Sequence, residues 1–196
     1  MSDPYLVPGR DVLRNVPGVT DPALLAEFEL TASLARVAEL ARAPIDGSFD
    51  LDHLCAIHRH LFQDVYAWAG EVRTVDIAKG MPFCRCAAIE SEAGRVFGAI
   101  ARDDYLVGLG RDAFVVRLAT HWGEVNALHP FREGNTRTQR VFFEQLAFVA
   151  GWSVDWTAID YPAFIAARFE NLRTADAGAL AEVLAVAVRE VQELDR

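Results

Sequence analysis

Apolar residues recur at helical spacing along most of this 196-residue chain, and this periodicity limits the possible folds more than any other feature. A first stripe runs from Asp21 to about Ala43, and a second follows Asp50 as far as Gln63. Five further stripes cover residues 87–104, 111–128, 137–150, 160–172 and 176–194. Short breaks separate the stripes, as expected for consecutive amphipathic helices. The pattern therefore predicts a mainly α fold.

Residues 72–86 interrupt the helical pattern. Side chains that favour strands flank the pair Lys79-Gly80 and the nearby Pro82, so we expect one short β-hairpin here. Residues 1–20 carry three prolines and two glycines, which indicates an ordered but irregular N-terminal arm. We find no repeat, low-complexity tract or linker. The sequence thus predicts an arm over residues 1–20 and a single helical domain over residues 21–196.

Composition narrows the possible partners. The formal net charge of -9 disfavours binding to nucleic acid, and any site for an anion must be local. Three cysteines are too few for a disulfide framework or a four-cysteine zinc site, which indicates a reducing, cytoplasmic environment. No stretch approaches the roughly 18 apolar residues of a membrane span. We expect neither a nucleic acid nor a membrane as partner.

The segment from His129 to Arg140, HPFREGNTRTQR, joins the end of one apolar helix to the start of the next. Pro130 disfavours helical backbone angles in the residue before it, so His129 should end the first helix and lie at the mouth of a loop. Gly134 and Asn135 tolerate positive φ and come directly before a helix start. Because the first N–H groups of a helix lack partners within it, this corner is suited to a phosphate group.

Charged side chains cluster at the same corner. Arg137 and Arg140 are three residues apart on the second helix, so both can face one polyphosphate. Glu133 offers the hard oxygen ligand that Mg²⁺ prefers. A histidine base, a metal-binding carboxylate, an anion corner and two arginines are the groups that phosphoryl or nucleotidyl transfer requires. The segment therefore indicates nucleotide chemistry.

The segment resembles the signature of the Fic family, His-Pro-Phe-x-Asp/Glu-Gly-Asn-Gly-Arg-x-x-Arg, and matches it at every specified position except Thr136. Residues 66–73, followed by Lys79-Gly80 and Phe83, are similar to the helix end and β-hairpin flap of that family. Residues 5–15 resemble the start of bacterial Fic toxins. Most of the chain is covered by the likeness, which implies a single Fic-type helical domain with one short β-hairpin flap.

The resemblance implies a protein adenylyltransferase that moves AMP from Mg-ATP to a hydroxyl group of a target protein. By this likeness His129 is the catalytic base, Glu133 coordinates Mg²⁺, and Gly134 with Asn135 forms the anion hole. The flap would clamp the target in extended form by strand addition. The remaining residues that the likeness assigns to nucleotide binding or its support are Lys79, Gly80, Asn126, Arg132, Thr136, Arg137 and Arg140.

Thr136 departs from the family pattern, because it adds a Cβ where the backbone usually passes close to phosphate. Thr136 and Gln139 also fit a capping box, which would anchor the helix start and make the substitution tolerable. Two alternatives to AMP transfer remain open. The chain could transfer UMP or a whole phosphate, or it could be a catalytically impaired nucleotide-binding interaction protein.

Members of the Fic family are commonly restrained by a helix with the pattern Ser/Thr-x-x-x-Glu-Gly/Asn, whose glutamate pairs with the second arginine of the signature, here Arg140. Glu is followed by Gly or Asn at Glu133 and Glu170 alone, and the residues four positions earlier are His129 and Ala166. The chain thus lacks this pattern. We expect a separate small antitoxin to supply the inhibitory glutamate, which would make this chain the toxin of a pair.

Other conspicuous side chains have structural interpretations. We interpret His53, His58, His60 and His121 as packing or surface residues, since their spacing does not match helical zinc sites. Aromatic residues outside the motif are expected to build the core. These are Trp68, Trp122, Trp152, Trp156, Phe142, Phe143 and Phe148.

Overall fold

The computed structural model describes residues 3–191 of the chain. Seven α-helices form this part, which confirms the mainly α prediction. They are α1 (Pro22–Leu40), α2 (Leu51–Phe62), α3 (Ile89–Arg102), α4 (Arg111–Leu128), α5 (Asn135–Val149), α6 (Tyr161–Thr174) and α7 (Gly178–Ala185).

Local capping sets the first two helix starts. The Asp21 carboxylate accepts hydrogen bonds from the N–H groups of Ala23 and Leu24, and Pro22 occupies the first turn of α1. Asp50 caps α2 in the same way, accepting a 2.8 Å hydrogen bond from the N–H of His53. Both carboxylates satisfy donors that have no partner within their helix. The predicted start of α2 at Asp50 is confirmed.

Helix α4 lies at the centre of the fold and contacts α3, α5, α6 and α7. Its Trp122 is fully buried, stacked on Phe143 of α5 at 4.6 Å between ring centroids and edge-on to Phe164 of α6. Helix α2 packs between α1 and α5. Because these rings pack α4 against α5, the core holds both helices that flank the loop between them.

The predicted hairpin is present but short. Strand β1 (Ala78–Lys79) pairs antiparallel with β2 (Met81–Pro82), with Gly80 at the turn. Both strands are exposed along their length. The hairpin forms a flap that lies beside the end of α4.

A second two-stranded sheet was not expected from the sequence. Strand β3 (Trp152–Val154) pairs antiparallel with β4 (Val188–Glu190). The prediction of one helix over residues 176–194 is therefore wrong beyond Ala185, and residues 192–194 lie outside the described part. Local periodicity does not distinguish three residues such as those of β4 at the end of a helix from a short strand, and pairing with the distant β3 decides between them.

Phe148 is the exception among the aromatic residues expected in the core. It is 51% exposed, whereas Trp68, Trp122, Phe142 and Phe143 are buried. The buried stripe of α5 runs through Phe142, Phe143, Leu146 and Ala147, and Phe148 follows on the outer face. Trp152 and Trp156 are half-buried.

Residues 3–20 are irregular apart from an isolated bridge between Leu6 and Leu13. Tyr5 is buried edge-on against Trp68, with 5.3 Å between ring centroids. The arm is thereby held against the segment that precedes the flap. Among residues 3–191, we find no helix with the length and apolar content needed to cross a bilayer.

Candidate active site

His129 is the residue at which α4 ends. Its backbone takes the left-handed conformation, with φ 44° and ψ 60°, and Pro130 follows. Proline disfavours the right-handed helical region in the residue before it, so the helix cannot continue through His129. The predicted helix end at His129 is confirmed.

The surroundings of the His129 ring define its protonation. Nδ1 lies 3.2 Å from the carbonyl oxygen of Asn126, which can only accept, so Nδ1 carries the hydrogen. The ring stacks on Phe83 of the flap segment at 3.7 Å between centroids. Burial, with the positive charges of Arg168 and Lys79, lowers the pKa of His129 well below its usual value. The ring is therefore neutral at physiological pH, with the Nε2 lone pair available as a base.

The loop after His129 closes on itself through Asn135. The Asn135 amide accepts a 3.0 Å hydrogen bond from the N–H of Phe131 and donates a 2.8 Å bond to the Phe131 carbonyl. Gly134 takes a φ of +81° and turns the chain into α5. No side chain caps α5, so its first N–H groups face outward unpaired within the described residues. The start of α5 therefore presents unpaired N–H groups, and Asn135 contributes a backbone group there because its side chain is bonded to Phe131.

Glu133 is held from two sides. Its Oε1 accepts a 2.9 Å hydrogen bond from the N–H of Gly134, and its backbone carbonyl lies 3.0 Å from Nε2 of His58. Nδ1 of His58 accepts from the N–H of Gly70 at 2.7 Å, so Nε2 is the donor to Glu133. Burial lowers the pKa of His58 to about 3, which keeps this histidine neutral. His58 is thus a buried brace between α2 and the loop.

The two motif arginines have different neighbours. Arg137 donates a 2.7 Å hydrogen bond to the Ser33 hydroxyl and pairs with the Glu29 carboxylate, both on α1. The hydroxyl of Tyr66 donates to the same carboxylate. Arg140 instead lies 4.1 Å above the Trp156 ring and forms no ion pair within residues 3–191. Arg137 is therefore committed to α1, whereas the charge of Arg140 remains open to a ligand.

A cavity of about 610 Å³ brings most of the expected site residues together. Its walls come from the end of α4, the start of α5, the flap, α1 and α6. The sequence-predicted residues that line it are Lys79, Asn126, His129, Glu133, Gly134, Thr136, Arg137 and Arg140.

Three predicted residues lie elsewhere. Arg132 and Asn135 line a smaller cavity of about 260 Å³ beyond His129 and Glu133, and Arg132 pairs there with Asp3 at 2.8 Å. Gly80 lies at the tip of the flap and lines neither cavity. The structure therefore does not bring these three residues to the wall of the larger cavity.

The predicted capping box at Thr136 is wrong. Gly134 is the N-cap, so Thr136 already lies inside α5 and its hydroxyl is too late to cap the helix start. Its Oγ1 instead accepts a 2.9 Å hydrogen bond from Arg168 of α6. Gln139 also accepts from Arg168, at 2.9 Å.

Several cavity residues were missed by the motif-based prediction. Phe83 covers one face of His129, and α6 contributes Arg168, Tyr161 and Phe169. One signal for Arg168 was available in the sequence. It falls on the same helical stripe as Phe164 and Asn171, and an arginine on a buried stripe is uncommon.

The other histidines have the structural roles expected of them. His53 is buried, with Nε2 3.0 Å from the carbonyl of Ile45, and His121 lies 2.8 Å from an Asp103 oxygen. His60 contacts Glu39 at the surface. Within the described chain, no group of three or more His, Cys, Asp or Glu side chains is arranged to hold a metal ion.

Comparison with known proteins matches this site to one family. A model described as the Fic/DOC family matches residues 48–147. A probable protein adenylyltransferase Fic of Salmonella typhimurium is 41% identical, covering 98% of this chain and 96% of the relative. A protein of the same name from Escherichia coli is 44% identical, covering 83% of this chain and 80% of the relative. Protein adenylyltransferase VbhT of Bartonella schoenbuchensis is 43% identical over 87% of this chain but 36% of its own length.

Solved structures agree with the fold. The BepC protein of Bartonella tribocorum, crystallised with AMPPNP, superposes with a TM-score of 0.90 at 25% identity, covering 96% of this chain and 97% of that one. The N-terminal Fic domain of a Bartonella quintana effector with bound ADP gives a TM-score of 0.91 at 25% identity, covering 97% and 96%. Both similar structures hold an adenine nucleotide.

Proposed function

This chain belongs to the Fic/DOC family, and on that premise we propose that it is a protein adenylyltransferase that moves AMP from ATP to a hydroxyl group of a target protein. The observation that carries the proposal is the neutral His129 ring, whose Nε2 is free, in the cavity at the uncapped start of α5. A base and an anion corner in one enclosed space are what transfer of a nucleotidyl group to a hydroxyl requires.

In this mechanism Nε2 of His129 removes the proton of the target hydroxyl. The hydroxyl oxygen then attacks the α-phosphorus of ATP, an O–P bond forms, and the bond to the β-phosphate oxygen breaks to release pyrophosphate. The uncapped N–H groups of α5 and the Arg140 guanidinium stabilise the negative charge that develops on the phosphates. Lys79 adds a positive charge from the flap side of the cavity.

The residues at the cavity fit a single Mg²⁺ ion. Glu133 is an acidic side chain on the wall, and one of its oxygens is engaged by the Gly134 N–H. A single carboxylate together with substrate phosphates and water is a usual set of ligands for Mg²⁺. Glu133 would hold the ion, which neutralises phosphate charge when bound.

The flap is the proposed binding surface for the target. Strands β1 and β2 are exposed and lie next to Lys79 at the cavity rim. An extended segment of the target can add to such a strand through main-chain hydrogen bonds, which would bring its hydroxyl toward His129.

We place this reaction in the cytoplasm, consistent with three free cysteines.

We further propose that a separate antitoxin restrains the enzyme. Within residues 3–191 no carboxylate oxygen lies within 4.0 Å of the Arg140 guanidinium, which leaves this charge available to an inhibitory glutamate supplied by another chain. The cavity rim between α1 and α6 exposes Leu30, Leu34 and Tyr161, which are 52%, 54% and 50% exposed. An amphipathic helix of a partner could cover these apolar side chains.

One experiment tests the central proposal. The purified chain is incubated with bacterial lysate and ATP labelled at the α- or the γ-phosphate, and labelled proteins are identified by mass spectrometry. We expect label from α-labelled ATP alone, and a loss of roughly 10²-fold or more in rate for His129→Ala with its fold unchanged. Label from γ-labelled ATP would assign phosphate transfer instead. No label from either donor, with folded protein, would refute transfer from ATP.

A growth experiment tests the antitoxin. Expression of the chain alone in bacteria should arrest growth, and His129→Ala should not. Co-expression of a neighbouring open reading frame should restore growth. Vigorous growth of cells that express the wild-type chain alone, with no adenylylated protein in them, would count against a separate antitoxin.

A further inference from the structure

Arg168 of α6 is a buried arginine at the cavity wall, and it lies outside residues 48–147 that match the family model. It is 5% exposed. Its guanidinium donates to Oγ1 of Thr136 at 2.9 Å and to Oε1 of Gln139 at 2.9 Å, and it also donates to Oδ1 of Asn126. The side chain therefore ties α6 to α4 and to the first turn of α5.

The charge of Arg168 is uncompensated. All three of its side-chain acceptors are neutral, and within residues 3–191 no carboxylate oxygen lies within 4.0 Å of it. Its Nε is buried without any hydrogen-bond partner. Burial lowers the pKa of Arg168 to about 10, so the group is still charged at neutral pH. A brace between neutral oxygens does not need a cation, and burying one without a counter-charge is costly.

Thr136 connects this charge to the anion corner. It is the second residue of α5, among the N–H groups that no side chain caps, and Arg140 follows one turn later on the same cavity wall. The hydroxyl of Thr136 accepts a hydrogen bond from Nη1 of Arg168 and so helps to position the guanidinium. A residue with no side chain at position 136 could not position it.

We propose that Arg168 is a phosphate-binding residue of this cavity, held in place by Thr136, and that it binds the phosphate groups of the nucleotide together with the start of α5. The inference rests on the proposed nucleotide site. It also gives Thr136 a function in this chain, since the hydroxyl that departs from the family signature becomes the support of an additional cation.

Calorimetric titration with ADP and with adenosine tests the assignment, because only ADP carries phosphate. We compare the wild type with Arg168→Lys, which keeps the charge, and Arg168→Gln, which keeps hydrogen bonding without it. Affinity for ADP should fall by roughly tenfold or more in Arg168→Gln and by less in Arg168→Lys, while affinity for adenosine stays unchanged. Arg173→Gln, at an exposed arginine of the same helix, is the matched control and should bind ADP as the wild type does.

Thr136→Val removes the hydroxyl at nearly constant volume. It should also lower the affinity for ADP and leave the affinity for adenosine unchanged. It keeps the proposal testable if Arg168→Gln does not fold. Unchanged ADP affinity in Arg168→Lys, Arg168→Gln and Thr136→Val would overturn the assignment, and so would an equal loss of ADP and adenosine, which indicates a purely structural brace. ADP binding does not depend on turnover, so a wild type that binds ADP but transfers no AMP refutes the transferase and leaves this inference standing.

Discussion

Gly134 shows how tightly single positions of the active-site loop are specified. Its φ of +81° lies in the region that favours glycine, and a Cβ placed there would lie 2.4 Å from the Phe62 ring. Residue 134 is thus constrained by backbone conformation and by packing together. The same residue is the N-cap of α5 and donates to Glu133, so its geometry sets both the anion corner and the carboxylate.

We predict that Gly134→Ala lowers the free energy of unfolding by about 2–5 kcal/mol, the sum of left-handed strain and overpacking against Phe62. Gly108→Ala is the control, because Gly108 has a φ of +76° but no atom within 4 Å of the added Cβ. It should cost about 1–2 kcal/mol from strain alone. Urea unfolding measures both. Equal losses in the two variants would show that the contact with Phe62 does not constrain the loop.

The flap depends on Arg73, which holds it to the end of α4. Arg73 is 1% exposed and donates to the carbonyl oxygens of His129 at 2.9 Å and Val75 at 2.7 Å, and also to that of Cys84. The N–H of Cys84 in turn donates to the Ala127 carbonyl at 2.9 Å. Because two strand residues on each side cannot hold a hairpin alone, this buried side chain is what positions the flap over His129.

We predict that Arg73→Met loosens the flap while the helical core stays folded. Buried carbonyl oxygens would lose their donor, which should cost about 3 kcal/mol of unfolding free energy. Hydrogen exchange should accelerate at the amide of Cys84 much more than at that of Phe142 in α5. Arg85→Met, an exposed arginine beyond the flap, is the control and should leave exchange at Cys84 unchanged. Unaltered exchange at Cys84 in Arg73→Met would contradict this role.

Across the whole molecule, buried neutral histidines couple folding to pH. Burial lowers the pKa of His58 to about 3 and also lowers the pKa values of His53, His121 and His129. In the unfolded chain a histidine has a pKa of about 6.5. Between these two values the unfolded state binds more protons than the folded state. The contribution of these histidines to the free energy of unfolding is therefore fully present above a pH of about 6.5 and is lost as the pH falls toward 3.

We predict that the unfolding free energy of the wild type decreases as the pH is lowered from 6.5 to 5. His58→Gln should reduce the slope of this dependence by up to about 1.4 kcal/mol per pH unit, the contribution of one proton. Leu61→Ala removes a fully buried side chain of the same helix without removing a titrating group. It should lower stability at every pH and keep the wild-type slope. Urea unfolding at several pH values decides, and an identical slope in His58→Gln would refute the prediction.

The sequence determined the features that depend on neighbouring residues. Local backbone preferences account for the two aspartate-capped helix starts, the end of α4 at His129 and the turn at Gly134. The last two features place a base close to the start of α5 whatever the packing of the other helices. The mainly α fold with its flap also followed from local periodicity. Such features involve residues close in sequence, so they can be read from it.

Tertiary structure alone decided which distant residues meet at that site. The pairing of Arg137 with Glu29, of Arg132 with Asp3 and of Thr136 with Arg168 joins residues 32 to 129 positions apart. Likewise, β4 is a strand because β3 lies beside it. Which residues are buried and which become partners depends on how the helices pack. A local sequence pattern does not identify the distant element against which a residue packs. Packing leaves the Arg140 guanidinium without an ion pair among residues 3–191 and pairs Arg137 with Glu29 of α1. It also brings Arg168 of α6 to the cavity wall.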